Sequence, residues 1–183
     1  FTAEPGAWKE IWDKIRVRHD LGFDLVPASI RLSELEVDLN DRPGKGVLLK
    51  EALAIVQGEY DFILLDCPPH VGILLVNALV ACDPLIFPIL TDFLALHGLK
   101  LLFDTIKVLN TVLPAPICYP VLPTLYDRRA RACARVLELL DLKMKCSMLK
   151  TVIGMDTRFR DASDPGRGIF AISLDSRGEQ ECE

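Results

Sequence analysis

Apolar residues recur along the chain at two alternating periods, and that alternation predicts the architecture. Trp8, Ile11, Trp12 and Ile15 stand at i, i+3, i+4 and i+7, the spacing of one helix face. Gly22 is expected to end this helix, and residues 23–26 read as a short strand. Pro27, Ala28 and Ser29 lead into a second helix with Leu32, Leu35 and Leu39 on one side and Ser29 as the expected cap. A polar loop with Gly and Pro covers residues 40–46, and a third helix residues 47–56. Phe62-Ile63-Leu64-Leu65 is an unbroken apolar run ending in Asp66, the pattern of a strand buried on both faces of a parallel sheet. A helix over 72–82 and a buried strand over 85–90 come next. Leu96, Leu99, Phe103, Ile106 and Leu109 then mark a long amphipathic helix. A strand over 117–122, an arginine-rich helix over 127–140 and a last strand over 147–153 follow. The tail holds a short helix near Asp161 and a turn at Gly166 and Gly168.

Strands alternating with helices imply an α/β domain with a mainly parallel sheet. Crossovers are then right-handed, and ligands gather at the carboxyl ends of the strands. The 183 residues fit a single domain over 1–183, and their half-apolar composition suffices for a full core. No apolar run is long enough to span a bilayer, and the first residues do not read as a secretory signal. A chain starting at Phe1 rather than Met is expected to be incomplete. A net charge of -5 gives no bulk attraction for nucleic acid. The cysteines, Cys67, Cys82, Cys118, Cys133, Cys146 and Cys182, form no C-x-x-C pair, so zinc and redox motifs are unsupported. They are expected to be reduced thiols of a cytoplasmic protein, several of them small core residues.

Asp66 carries the clearest chemical signal. It ends the apolar run and is followed by Cys67, Pro68 and Pro69, and the two prolines force an extended chain without N–H groups. In P-loop NTPases a carboxylate in this place helps hold Mg²⁺, usually through water. A surface aspartate that caps the next turn is the plainer alternative. The stretch YDFILLDCPPHVGILLVNALVACDPLIFPI resembles the Walker B and switch II region of ParA-type ATPases of the deviant Walker superfamily. FDLVPASIRLSELEVDL, FLALHGLKLLFDTIKVL, LPTLYDRRARACARVLELL and KTVIGMDTRFRDASDPGRGIFAISLDSRGEQ resemble further segments of that family, in the family's order. The resemblance covers nearly the whole chain from about residue 23.

The resemblance implies a three-layer, doubly wound sheet of P-loop NTPase type. It implies a Mg-ATP-dependent homodimer that binds double-stranded DNA without sequence preference. A ParB-like adaptor would stimulate its hydrolysis, in a cytoplasmic, nucleoid-associated setting and without a membrane. Asp66 takes the Walker B place, as the Mg²⁺ ligand through water. Pro68, Pro69 and Gly72 fall in the segment that senses the γ-phosphate, and Thr124, Gly154 and Asp156 fall where the family surrounds the nucleobase.

Two departures bear on activity. No G-x-x-x-x-G-K-[ST] pattern occurs, and Pro43-Gly44-Lys45-Gly46-Val47 has one lysine, no following Ser or Thr and no strand before it. The aspartate that follows the family's second strand is missing as well. The chain is therefore expected to lack the N-terminal βαβ portion that cradles the phosphates, and to be inactive as it stands while the full-length form is an ATPase. Gly154 replaces a proline usual beside the base, and His97 stands where a glutamate is common.

Arg128, Arg129, Arg131 and Arg135 cluster at one helix, with Arg158, Arg160 and Arg167 further on. A charge run is usually a solvated face. The resemblance makes Arg128, Arg129, Arg131, Arg158 and Arg160 candidates for contacts to DNA phosphates. Two alternatives stay open: a degenerate, non-catalytic scaffold of the same fold, and a MinD-like ATPase that positions itself on membranes.

Overall fold

The computed structural model describes residues 8–39, 42–67, 72–113, 115–144 and 147–163. They fall into two compact units, Phe1–Asp83 and Pro84–Glu183.

The first unit begins with α1, Trp8–Ile15, followed by β1, Val17–Arg18, and β2, Asp24–Leu25, which pair antiparallel with Val17 opposite Leu25. Gly22 does not end α1, as the sequence suggested, but turns this hairpin at φ 85, a conformation that costs a residue without Cβ little. The His19 N–H donates to the Phe23 carbonyl at 2.8 Å, and the two rings stack with centroids 4.5 Å apart. The expected strand over 23–26 is thus shorter and has an antiparallel partner; pairing two residues long leaves no alternation for a sequence to show.

Helix α2, Arg31–Asp38, starts one residue later than Ser29 implied: the Ser29 hydroxyl accepts the Arg31 N–H at 3.2 Å, while Ile30 is the N-cap and contributes no side-chain bond. Helices α3, Leu48–Leu53, and α4, Ile73–Ala81, pack on each other. Leu39, Ala52, Val56, Leu75, Ala78 and Leu79 are buried in this unit. Residues 43–46 form a turn before α3.

The centre of this packing is polar. Asn77 of α4 is 1% exposed. Its amide donates to the Lys45 carbonyl at 2.7 Å and to the Ile73 carbonyl at 2.9 Å. Its side-chain oxygen accepts the Leu49 N–H at 3.1 Å. Val47, the N-cap of α3, makes no side-chain bond, so Asn77 caps α3 from the neighbouring helix. The Trp12 indole donates to the Ala52 carbonyl at 3.1 Å and ties α1 to the same helix. Arg16 reaches Glu59 at 2.8 Å and the Tyr60 hydroxyl at 3.2 Å, and that hydroxyl donates to Asp24 at 2.7 Å.

The apolar run before Asp66 is not the buried strand that its composition suggested. Residues 62–67 belong to no regular element, and Phe62 and Leu64 are 86% and 88% exposed. A strand is held by ladder bonds to neighbours, and among the described residues no strand runs beside this segment. The run shows the demand for burial without the neighbours that would meet it.

The second unit is built on parallel pairing. β3, Phe87–Leu90, lies beside β4, Val121–Thr124, with Phe87 opposite Val121 and Leu90 opposite Thr124. The chain over 147–154 runs parallel along the other edge of β4, through bridges from Val121 to Met148 and from Tyr126 to Gly154. The Leu149 N–H donates to the Val121 carbonyl at 2.8 Å and the Ile153 N–H to the Pro123 carbonyl at 2.9 Å. The last expected strand is therefore in place as isolated bridges rather than a regular ladder. Helix α5, Phe93–Leu109, is capped by the Asp92 carboxylate, which accepts the Leu94 N–H at 2.7 Å. Helix α6, Arg131–Met144, covers the sheet.

Ile89, Val121, Val136 and Leu140 form the core of the second unit, with Phe87, Ala95, Leu96, Met144 and Met148 packed around them. Leu140→Ala is expected to cost about 3 kcal/mol, the usual range for a large-to-small change in a packed core. Hydrogen exchange of the α6 amides would then speed up by about two orders of magnitude; unchanged protection would show that α6 is held by something other than this core. The described cysteines Cys67, Cys82, Cys118 and Cys133 are free, and none is the fully buried core residue expected: Cys67 and Cys118 are exposed and the other two half-buried.

Candidate functional site

The carboxyl end of β4 is shaped by a short chain of hydrogen bonds. The Thr124 hydroxyl donates back to the Ile89 carbonyl at 3.2 Å. Thr91, which is buried, donates its hydroxyl to the Thr124 and Leu125 carbonyls, both at 3.4 Å. Leu125 has φ 52, the left-handed region, which costs a side-chain-bearing residue about 1 kcal/mol. That turn delivers Tyr126, whose N–H donates to the Ile153 carbonyl and whose carbonyl accepts the Met155 N–H, each at 3.0 Å.

The two loops beyond this point close on aspartates. The Asp127 carboxylate accepts the Arg129 N–H at 3.0 Å and the Arg129 Nε at 3.1 Å, just ahead of α6. The Asp156 carboxylate accepts the Arg158 N–H at 2.9 Å, at the start of α7, Arg158–Ser163. Tyr126, Asp127, Arg128, Arg129, Met155 and Thr157 line a cavity of about 270 Å³ there. It sits at the carboxyl ends of parallel segments, the place where an open α/β sheet offers a ligand crevice.

Thr124, Gly154 and Asp156, singled out from the sequence, are brought to this end of the sheet, but as its frame. Thr124 is bonded to β3, Gly154 is buried at a sheet bridge, and Asp156 caps a helix. Tyr126, Met155 and Thr157, which the sequence reading missed, line the cavity. Spacing along the strand does not point to Tyr126, because Leu125 at φ 52 breaks the alternation of faces just before it.

In the first unit, Asp66 is exposed and has no ion pair among the described residues. Its oxygen donor is of the hard type that suits Mg²⁺. Pro68 and Pro69 lie outside the described residues. Gly72 is the N-cap of α4 in an extended conformation, and a Cβ there would collide with the carboxylate of Glu36. The side chains of His97 and Arg160, and all of Arg167, Gly166 and Gly168, lie outside the described residues. Arg128, Arg131, Arg135 and Arg158 are exposed.

The Cys67 thiol sits above its ordinary pKa, first because its surroundings desolvate the thiolate and then because Asp66 is negative. A raised pKa means less thiolate at a given pH. Asp66→Asn removes the second cause, so the alkylation profile of Cys67 is expected to move to lower pH, with a rate near neutrality about twofold higher. Peptide mass spectrometry of iodoacetamide-treated protein reads this, and an unshifted profile would show that Asp66 does not act on the thiol.

The profile of a protein family described as "AAA domain" matches residues 7–116. The sporulation initiation inhibitor protein Soj of Bacillus subtilis is 32% identical over 172 residues, covering 93% of this chain and 68% of Soj. The chain belongs to the ParA/Soj family of ATPases. The cell division protein PomZ of Myxococcus xanthus, also 32% identical, is matched over 88% of this chain and 51% of its own length. Among solved structures, cobyrinic acid a,c-diamide synthase from Mycobacterium smegmatis with bound ATP analogue and magnesium is similar, with TM-score 0.67 and 34% identity. That likeness covers 72% of this chain and 54% of the synthase. The chain thus spans about half to two thirds of the length of these ParA/Soj relatives. Among the described residues, no helix is long and apolar enough to cross a membrane.

Proposed function

We propose that this chain is the greater part of a single-domain ParA-like ATPase that partitions or positions DNA or another cellular cargo. The similarity to Soj across 93% of the chain carries the reading. In the full-length protein ATP and Mg²⁺ are the cofactors. Asp66 holds the metal through water, the segment at Pro68, Pro69 and Gly72 responds to the γ-phosphate, and the cavity framed by Thr124, Gly154 and Asp156 takes the base. The chemistry that Mg²⁺ supplies is neutralisation of charge on the phosphates. The protein works as a homodimer in the cytoplasm at the nucleoid, and a ParB-like adaptor stimulates it. Arg128, Arg129, Arg131, Arg158 and Arg160 contact double-stranded DNA through phosphates, with affinity that falls steeply with salt. Arg129 is the weakest of these contacts, since Asp127 already occupies its guanidinium.

The alternative reading is a non-catalytic scaffold of the same fold. Equilibrium binding of a fluorescent ATP analogue to the full-length protein, with Mg²⁺ and with EDTA, separates the two. Mg-dependent binding followed by slow hydrolysis is expected. Absence of binding under both conditions would leave the scaffold.

A further inference from the structure

We propose that a groove between the start of α5 and the outer face of α6 is a docking site for an acidic, apolar peptide segment of a partner protein. The groove has a volume of about 510 Å³ and is lined by Phe93, Arg131, Ala132, Arg135 and Glu138. It is separate from the cavity beyond β4, with which it shares no lining residue.

The chemistry of the lining selects the occupant. Arg131 and Arg135 stand one helical turn apart on the same side of α6. Both are exposed, and neither has an ion pair among the described residues. Two adjacent guanidinium groups offer forks that match carboxylates. Phe93 beside them is 44% exposed, so the groove also has apolar surface to cover. Glu138 puts a negative charge in the same groove.

These features fit a peptide better than a DNA duplex. A duplex presents a uniformly anionic backbone, which gives Phe93 nothing apolar to meet. A peptide with two carboxylates near a large aliphatic residue satisfies both arginines and covers the ring. Arg131 also belongs to the proposed DNA-contacting set, so a docked peptide would remove one phosphate contact. The docking itself does not depend on the ATPase reading.

The test is fluorescence anisotropy of a short labelled peptide with two glutamates four residues apart around leucines, set against the same peptide with lysines for the glutamates. The full chain is expected to bind the glutamate peptide and not the lysine peptide. Arg131→Glu with Arg135→Glu, exposed changes that circular dichroism should show to be folded, is expected to weaken binding at least about tenfold. Phe93→Ala should weaken it about tenfold, and Glu138→Lys should tighten it about threefold. The gain in Glu138→Lys distinguishes docking in the groove from general damage. No binding of the glutamate peptide, equal binding of the lysine peptide, or unchanged affinity in the double variant would each overturn the proposal. So would a duplex oligonucleotide that depends on Phe93 and Arg135 where the peptide does not.

Discussion

Asn77→Leu is expected to lower the stability of the first unit by about 4 kcal/mol. Leucine is close to asparagine in size, so no large cavity forms and the loss is that of the hydrogen bonds. The Leu49 N–H loses its side-chain acceptor, and the Lys45 and Ile73 carbonyls lose the amide. A buried polar group left without its partner costs about 1–3 kcal/mol. The start of α3 would then have no cap at all, because Val47 supplies none. Urea unfolding followed by tryptophan fluorescence isolates this unit, since both tryptophans, Trp8 and Trp12, lie in α1. Trp12 is bonded to α3 itself, so the probe sits on the element that Asn77 holds. Asn77→Asp keeps the acceptor for Leu49 but loses both donated bonds and buries a charge, and it is expected to be no better tolerated. A midpoint shift equivalent to less than about 1 kcal/mol for Asn77→Leu would show that the three bonds add little over water.

Asp66→Ala in the full-length protein is expected to reduce Mg-dependent ATP turnover at least about a hundredfold, which corresponds to roughly 3 kcal/mol of lost transition-state stabilisation. Asp66 is exposed, so the same change is expected to alter stability by no more than about 0.5 kcal/mol. The combination of a lost activity and an unchanged unfolding curve is what separates a metal-positioning role from a structural one. Asp66→Asn keeps the size and one acceptor while removing the charge, and its turnover should fall nearly as far if the carboxylate acts on Mg²⁺. Hydrolysis at the wild-type rate in Asp66→Ala would remove the Walker B assignment and return the residue to an ordinary surface turn.

The elements that could be read from the sequence are those whose signal is local. Helix α4 lies within one residue of the 72–82 expected, because Gly72 and Cys82 bound a segment that is apolar except for Asn77. β3 was recognisable as a short apolar segment between helices and α5 by its amphipathic stripe, whereas half of β4 lies beyond the 117–122 expected. The exposure of Phe62 and Leu64 was not legible, since an apolar run says that burial is favourable and not what supplies it. The hairpin at Gly22 was hidden for the opposite reason: its strands are too short to impose a period. At the candidate site, motif position led to Thr124, Gly154 and Asp156, which hold the backbone in place. The cavity walls, Tyr126 and Met155, depend on how two loops leave the sheet, a tertiary property that spacing along one segment does not encode. Asn77 interrupts the apolar segment of α4, and its role as a cap for another helix follows from packing alone.

The apolar run ahead of Asp66 also bears on how the chain behaves at concentration. Phe62, Ile63 and Leu64 are consecutive apolar residues, and Phe62 and Leu64 are 86% and 88% exposed. A short apolar stretch without charge or proline is the composition that adds strands from other molecules. A gatekeeping charge at position 62 or 64 is therefore expected to lower self-association of this chain, which light scattering would read.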